Sequence, residues 1–234
     1  MNASAAAKYG ILSIDWANYR RGWDPKTHAL PANDGCMANQ AQQIKAQGTA
    51  TKVYVYRNAQ QALAIESSCY AVMKDERYAG LFLRCKDGSI YHRGASAKTG
   101  ACRGPLNGSD PWAIFFWDFR NKSAQTYFLD SVVGGPNGIG EEYIDGVFLD
   151  DAGPGTRTAP MPEYRNQLLS AAAHIGMSDE EIVEISNATH EMLVNLRAVL
   201  YQKGKGVWLS SGDPSWFDDF DSHCTGNQTT CNWW

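Results

Sequence analysis

Six short apolar runs constrain this chain more than any other feature, because most of them end on a charged or amide side chain. They are YGILSIDWAN leading to Asp15, TKVYVYRNA leading to Arg57 and Asn58, and GLFLR at 80–84. The others are WAIFFWDFR leading to Asp118 and Arg120, IDGVFLDD leading to Asp150 and Asp151, and KGVWLSSGD leading to Asp213. A strand buried on both faces reads as a continuous apolar run rather than an alternation. Between the runs lie segments of helical character: MANQAQQIKAQ, ALAIESSCYAVMKDE, NKSAQTYFLDSVV and SDEEIVEISNATHEMLVNLRAVLYQKG. The last holds Ser178 and Glu181 at the spacing of a capping box and closes at Lys203 and Gly204.

Strands alternating with helices predict an α/β fold with a parallel sheet. No GxGxxG follows the first run and no GxxxxGK[ST] occurs, which leaves the nucleotide-binding open sheets unsupported. Polar residues at the end of strand after strand match the catalytic rim of a (β/α) TIM-type barrel, whose active site is assembled from strand C-termini. The chain accommodates six strand-helix units, so the barrel is expected to be incomplete or truncated. Its open edges are then sites for self-association by strand pairing. No linker divides residues 1–234, and a single barrel-like domain is expected.

A net charge of -4 argues against nucleic acid and anionic membrane as partners. No apolar run is long enough for membrane insertion, and the opening MNASAAAKYG lacks the apolar core of a signal peptide. Other features point to a secreted, extracellular protein. The six cysteines lack CxxC spacing, and an even count fits disulfides better than zinc. Proximity along the chain favours Cys85–Cys102 and Cys224–Cys231, leaving Cys36–Cys69, out of the many pairings that six cysteines allow. Glycosylation sequons stand at Asn2, Asn107, Asn121, Asn187 and Asn227. The five histidines form no HxH or HExxH, and FDDFDS lacks EF-hand spacing, so no metal and no cofactor is expected. Ser210-Ser211-Gly212 is not a G-x-S-x-G nucleophile elbow.

The strand-end residues Asp15, Arg57, Asn58, Asp118, Arg120, Asp150, Asp151 and Asp213 interleave with Trp16, Tyr56, Trp117 and Trp208. Aromatic faces stack on sugar rings, while carboxylates and amides bond the hydroxyls. Cleavage of a glycosidic bond itself needs two carboxyl groups. Asp118, with Arg120 or Arg57 near it to lower its pKa, is expected to be the nucleophile or base. Asp150 or Asp151 is expected to be the acid, because a like-charged neighbour raises one pKa of a pair. The remaining strand-end residues and aromatics are expected to bind the substrate, a polysaccharide or oligosaccharide. The alternative is a non-catalytic extracellular glycoprotein that binds carbohydrate or assembles on a glycosidase-like barrel.

WDFRN at 117–121 and DGVFLDD at 145–151, with YGILSIDWAN and VYVYRNA, resemble the strand ends of secreted TIM-barrel glycoside hydrolases. These hypothetical glycosidase-like families are distantly similar to the endo-α-1,4-polygalactosaminidases. The resemblance spans residues 9 to 213 and implies that Asp118 and Asp150 share an active cleft lined by Asp15 and Arg57.

Overall fold

The computed structural model describes residues 2–17, 33–48, 50–93, 100–106, 112–152 and 167–210. Its frame is a parallel sheet of β1 (Ile11–Ile14), β2 (Lys52–Asn58), β7 (Gly146–Asp150) and β8 (Gly206–Leu209), ordered β1-β2-β7-β8. These strands are four of the six apolar runs, and their inward positions Ile14, Val53, Val55, Val147 and Leu149 are buried. Helix α2 (Asn33–Lys45) leads into β2, and α6 (Asp179–Gln202) leads into β8. The capping box forms as its spacing predicts: Ser178 N donates to Glu181 Oε2 at 2.7 Å, and Glu181 N donates to Ser178 Oγ at 3.3 Å. At the start of β7, Asp145 accepts from Val53 N at 2.8 Å and pairs with Lys45 and Lys52, which locks the lower end of the sheet. Gly146 and Gly206 face each other beneath the Tyr54 ring, where a Cβ on either would collide with it.

The expectation of parallel strands throughout is corrected between β2 and β7. There the chain builds a second, antiparallel sheet, ordered β3-β6-β4-β5, from β3 (Gln61–Leu63), β4 (Ile90–Arg93), β5 (Ala101–Arg103) and β6 (Ile114–Phe116). The cause is local. Asn58 Oδ1 accepts from Gln60 N at 3.0 Å and from Gln61 N at 2.8 Å. This side-chain turn sends the chain straight from β2 into β3 with no intervening helix. The run WAIFFWDFR supplies β6, antiparallel to both β3 and β4. It reads as a buried strand because both its faces are covered. Phe115 belongs to the main core, and Phe116 packs in a second cluster with Leu83, Tyr91, Leu168 and Ile185. The expected strand GLFLR instead continues a 3-10 helix (Glu76–Leu81) into isolated bridges from Phe82 to Trp117 and from Arg84 to Ile90.

The fold is thus mixed α/β with a parallel sheet, and the described strands do not close into a barrel. The segment ALAIESSCYAVMKDE is helical only over α3 (Ser67–Met73), and NKSAQTYFLDSVV gives α4 (Lys122–Tyr127) followed by a π-helical turn (Phe128–Val133). Two further helices, α1 (Ala3–Ala6) and α5 (Gln167–His174), complete the described elements. Cys85 and Cys102 form the expected disulfide. Cys36 and Cys69 do not: both are free thiols, and Cys69 Sγ is turned to Glu66 Oε2 at 3.3 Å. Cys224 and Cys231 lie outside the described residues. No described helix is long and apolar enough to cross a membrane.

Candidate functional site

Asp150 ends β7 and Asp151 begins the turn beyond it, with a positive φ of 52° that aims its side chain differently from a continuing strand. Both carboxylates line a pocket of about 270 Å³ between the two sheets, with Trp16, Tyr56, Asn58, Gln61, Arg93 and Trp112 among its walls. Asp150 Oδ1 accepts from Ser210 Oγ at 2.7 Å and from Asp151 N at 2.9 Å, and Asp150 Oδ2 accepts from the Tyr56 hydroxyl at 3.2 Å. Asp151 Oδ2 accepts from Asn58 Nδ2 at 2.8 Å and from Gln61 Nε2 at 2.7 Å. Burial pushes the Asp151 carboxyl above its ordinary pKa, and the Asp150 charge adds to that. The Asn58 amide and the Arg93 charge oppose it. Burial, then the Asp150 charge, also raises the Tyr56 phenol, which keeps it a donor.

The aromatic wall follows from strand alternation. Tyr56 and Asn58 point to one face of β2, and their partners in register on β7 are Phe148 and Asp150. Trp16 stands just past β1, with ring centroids 6.4 Å from Tyr56 and 6.3 Å from Trp112. Trp208 continues the aromatic row edge-on to Phe148 at 5.3 Å, below the described pocket walls. Asp15 is exposed, with Oδ1 accepting from Ala17 N at 2.6 Å, and the neighbouring Trp16, not Asp15, is in the described lining of the pocket. Asp213 lies outside the described residues.

Other expected site residues are placed elsewhere. Arg57 points to the opposite face of β2 from Tyr56 and is buried. Its guanidinium donates to Val132 O at 2.7 Å, Tyr56 O at 2.6 Å and Asn137 O at 3.0 Å, so it braces the backbone around Val132 and Asn137 and is outside the described lining of the pocket. Trp117 is fully buried among Phe82, Phe119 and Phe128, a core residue rather than a sugar platform. Asp118 leaves β6 at the end opposite Ile114, the β6 residue that lines the pocket. Arg120 holds the Asp118 carboxylate in a fork, Nε to Oδ1 at 2.8 Å and Nη2 to Oδ2 at 2.7 Å. The pocket therefore brings together Asp150 and Asp151, and Asp118 with Arg120 forms a separate pair outside its described lining.

Sequence reasoning missed Gln61, Arg93 and Trp112. Gln61 carried a signal, the amide pair Gln60-Gln61, separated from the strand-end Asn58 only by Ala59. Arg93 and Trp112 carried none. Among the sequons, Asn187 is exposed on α6, while Asn2 and Asn121 cap helices. Asn121 Nδ2 donates to Gly80 O at 2.6 Å, a bond that a glycan there would disturb. Asn107 and Asn227 lie outside the described residues. No three His, Cys, Asp or Glu side chains gather as a metal-binding group among the described residues.

No protein family profile matches the chain, and no curated protein sequence does. Solved structures of sugar-active enzymes are similar at a distance. The galactosidase domain of an α-galactosidase–sucrose kinase aligns at 12% identity and a TM-score of 0.42, over 88% of this chain and 23% of that one. A family GH13_31 enzyme aligns at 9% identity and a TM-score of 0.43, over 89% of this chain and 41% of that one. Aspergillus fumigatus Ega3 in complex with galactosamine aligns at 13% identity and a TM-score of 0.28, over 94% of this chain and 80% of that one. The chain spans less than half the length of the first two proteins. At these TM-scores the likeness carries no weight for the chemistry, which rests on the chain's own residues.

Proposed function

We propose that the Asp150–Asp151 pocket binds a polysaccharide or oligosaccharide and cleaves a glycosidic bond by carboxylate acid/base catalysis in an extracellular setting. The observation that carries this is the environment of the two acids. Asp151 has its pKa raised by burial, and its Oδ2 takes both amide hydrogen bonds, which leaves Oδ1 to carry the proton an acid must donate. Asp150 is held by three donors with its carboxylate at the same pocket, the position of a base or nucleophile. Trp16 and Trp112 supply the aromatic faces on which a pyranose ring stacks. The test is an activity screen over a polysaccharide panel with wild type, Asp150→Asn and Asp151→Asn. Each variant should lose about 10²–10⁴-fold in turnover, and full activity in both refutes the proposal.

A second reading, carbohydrate binding without cleavage, draws on the same hydrogen bonds: protein donors already serve both carboxylates. Under it, calorimetry detects oligosaccharide binding by wild type while no panel member is hydrolysed.

A further inference from the structure

A second cavity, of about 670 Å³, lies on the other side of the antiparallel sheet. Consecutive strand residues point to opposite faces, and β4 shows this directly. Arg93 pairs with Ile114, and both line the Asp150–Asp151 pocket. His92 pairs with Phe115, packs its ring 5.6 Å from that side chain, and lines the second cavity. Two cations face the same space, Lys74 from the end of α3 and Arg103 from the end of β5, and Glu76 is the one acid among its described lining. No carboxylate among the described residues pairs with Lys74 or Arg103. Lys74 Nζ rests over the Tyr70 ring at 4.6 Å, and Arg103 is exposed. On a chain of net charge -4 such a pair is not part of a generally basic surface. The wall that carries Arg103 is fixed at both ends. The Cys85–Cys102 disulfide ties down its start, and Leu106 N donating to Met73 O at 2.8 Å ties its end to α3.

We propose that this cavity binds an anionic group carried on a sugar chain, a sulfate ester or a uronate carboxylate, through Lys74 and Arg103. Its volume lies within the range of small-ligand sites, roughly 300–1,000 Å³, and a guanidinium fork with an ammonium beside it recognises either anion. That an anion binds here rests on the cavity alone; that a sugar carries it rests on the reading of the other pocket. The site would hold an acidic polysaccharide independently of the acids that act on it.

Calorimetry on the full chain at low salt tests this with sulfated dextran oligosaccharides, oligogalacturonides and neutral dextran oligosaccharides. At least one charged probe should bind, and Lys74→Ala/Arg103→Ala should weaken it about tenfold or more. Both residues are exposed, so the variant keeps its fold, which circular dichroism checks. Arg103→Lys should restore part of the affinity, and Glu76→Gln should tighten binding by removing the opposing charge. Lys74→Ala/Arg103→Ala should leave any binding of the neutral probe unchanged, because neither residue is in the described lining of the Asp150–Asp151 pocket, which separates this site from the catalytic proposal. Binding of the sulfated probe alone assigns a tetrahedral anion, and binding of the galacturonide alone assigns a carboxylate. The proposal is overturned if neither charged probe binds, if the neutral probe binds as well as they do, or if the double variant binds like wild type.

Discussion

Each face of β2 has a largely buried acid beside it, and the two are used in opposite ways. On one face Tyr56 and Asn58 hold Asp150 and Asp151 at an open pocket. On the other, Arg57 is sealed beneath Val132 and Asn137, and its charge acts on Glu66, a carboxyl almost entirely buried. Burial raises the pKa of both Asp151 and Glu66. Asp151 has a cavity before it and an oxygen free for a proton. Glu66 has Cys69 Sγ on Oε2 and no partner for Oε1 among the described residues. A raised carboxyl pKa therefore marks a functional acid only where a ligand can reach it.

The largest effect that would test this contrast is on the sealed face. Arg57→Ala removes hydrogen bonds to three backbone carbonyls and, among the described residues, the cation that acts on Glu66. Leaving these buried and part-buried carbonyls without their donor, at about 1–3 kcal/mol each, should cost about 3–5 kcal/mol of stability or more, read as a fall in the urea midpoint. A change near zero would mean that Arg57 is not the brace its contacts describe.

Glu66 gives the next effect, through pH. Burial is the main cause that lifts its pKa from 4.5 to about 7, and Arg57 and the Cys69 thiol oppose it. The folded state therefore holds the Glu66 proton more tightly than the unfolded state does. The stability this confers is complete below pH 4.5 and is lost as pH rises to about 7. The loss is about 3 kcal/mol. Glu66→Gln, which keeps the shape without the charge, should flatten stability across that window. A wild-type curve already flat there contradicts the sealed environment.

On the open face, Asp151→Asn should reduce turnover by about 100-fold while the melting temperature stays nearly constant. A large loss of stability with activity retained would invert the comparison and place Asp151 with Glu66 as a structural acid.

Much of this was legible where the cause was local. The capping box of α6 depends on Ser178 and Glu181 three positions apart, and it forms. Strands β1, β2, β7 and β8 follow from apolar runs, and Asp150 and Asp151 were found at the end of one. Strand direction was not legible, because a run such as IFF is apolar whether its neighbours run parallel or antiparallel. The deciding signal was the turn made by Asn58. The face of Arg57 could have been read by alternation, since Tyr56 and Asn58 must share the side that Arg57 leaves. The Asp118–Arg120 pairing was legible too, but an arginine beside an aspartate reads equally as a device that tunes a catalytic carboxylate. An aspartate two residues before an arginine closes a local fork, and the chain does this twice, at Asp75–Arg77 and at Asp118–Arg120. The missing Cys36–Cys69 bond was a question of which residues meet in space, and spacing along the chain does not decide that.

The smallest effect, and the sharpest probe of the open face, comes from Tyr56→Phe. The ring remains, so its packing at 6.4 Å from Trp16 and 6.2 Å from Phe148 is preserved, and only the hydroxyl is lost. That hydroxyl donates to Asp150 Oδ2 and accepts from Asn58 Nδ2, each at 3.2 Å. Asn58 keeps its bond to Asp151, and Asp150 keeps those from Ser210 and its neighbouring amide, so neither side chain is left unpartnered. Stability should fall by about 1 kcal/mol. If Asp150 takes part in the reaction, turnover should fall several-fold while substrate affinity changes little, because the substituted bond orients the carboxylate rather than the sugar. A fall in affinity with turnover intact would instead make Asp150 a binding group, and the pocket a site that holds sugar without cutting it.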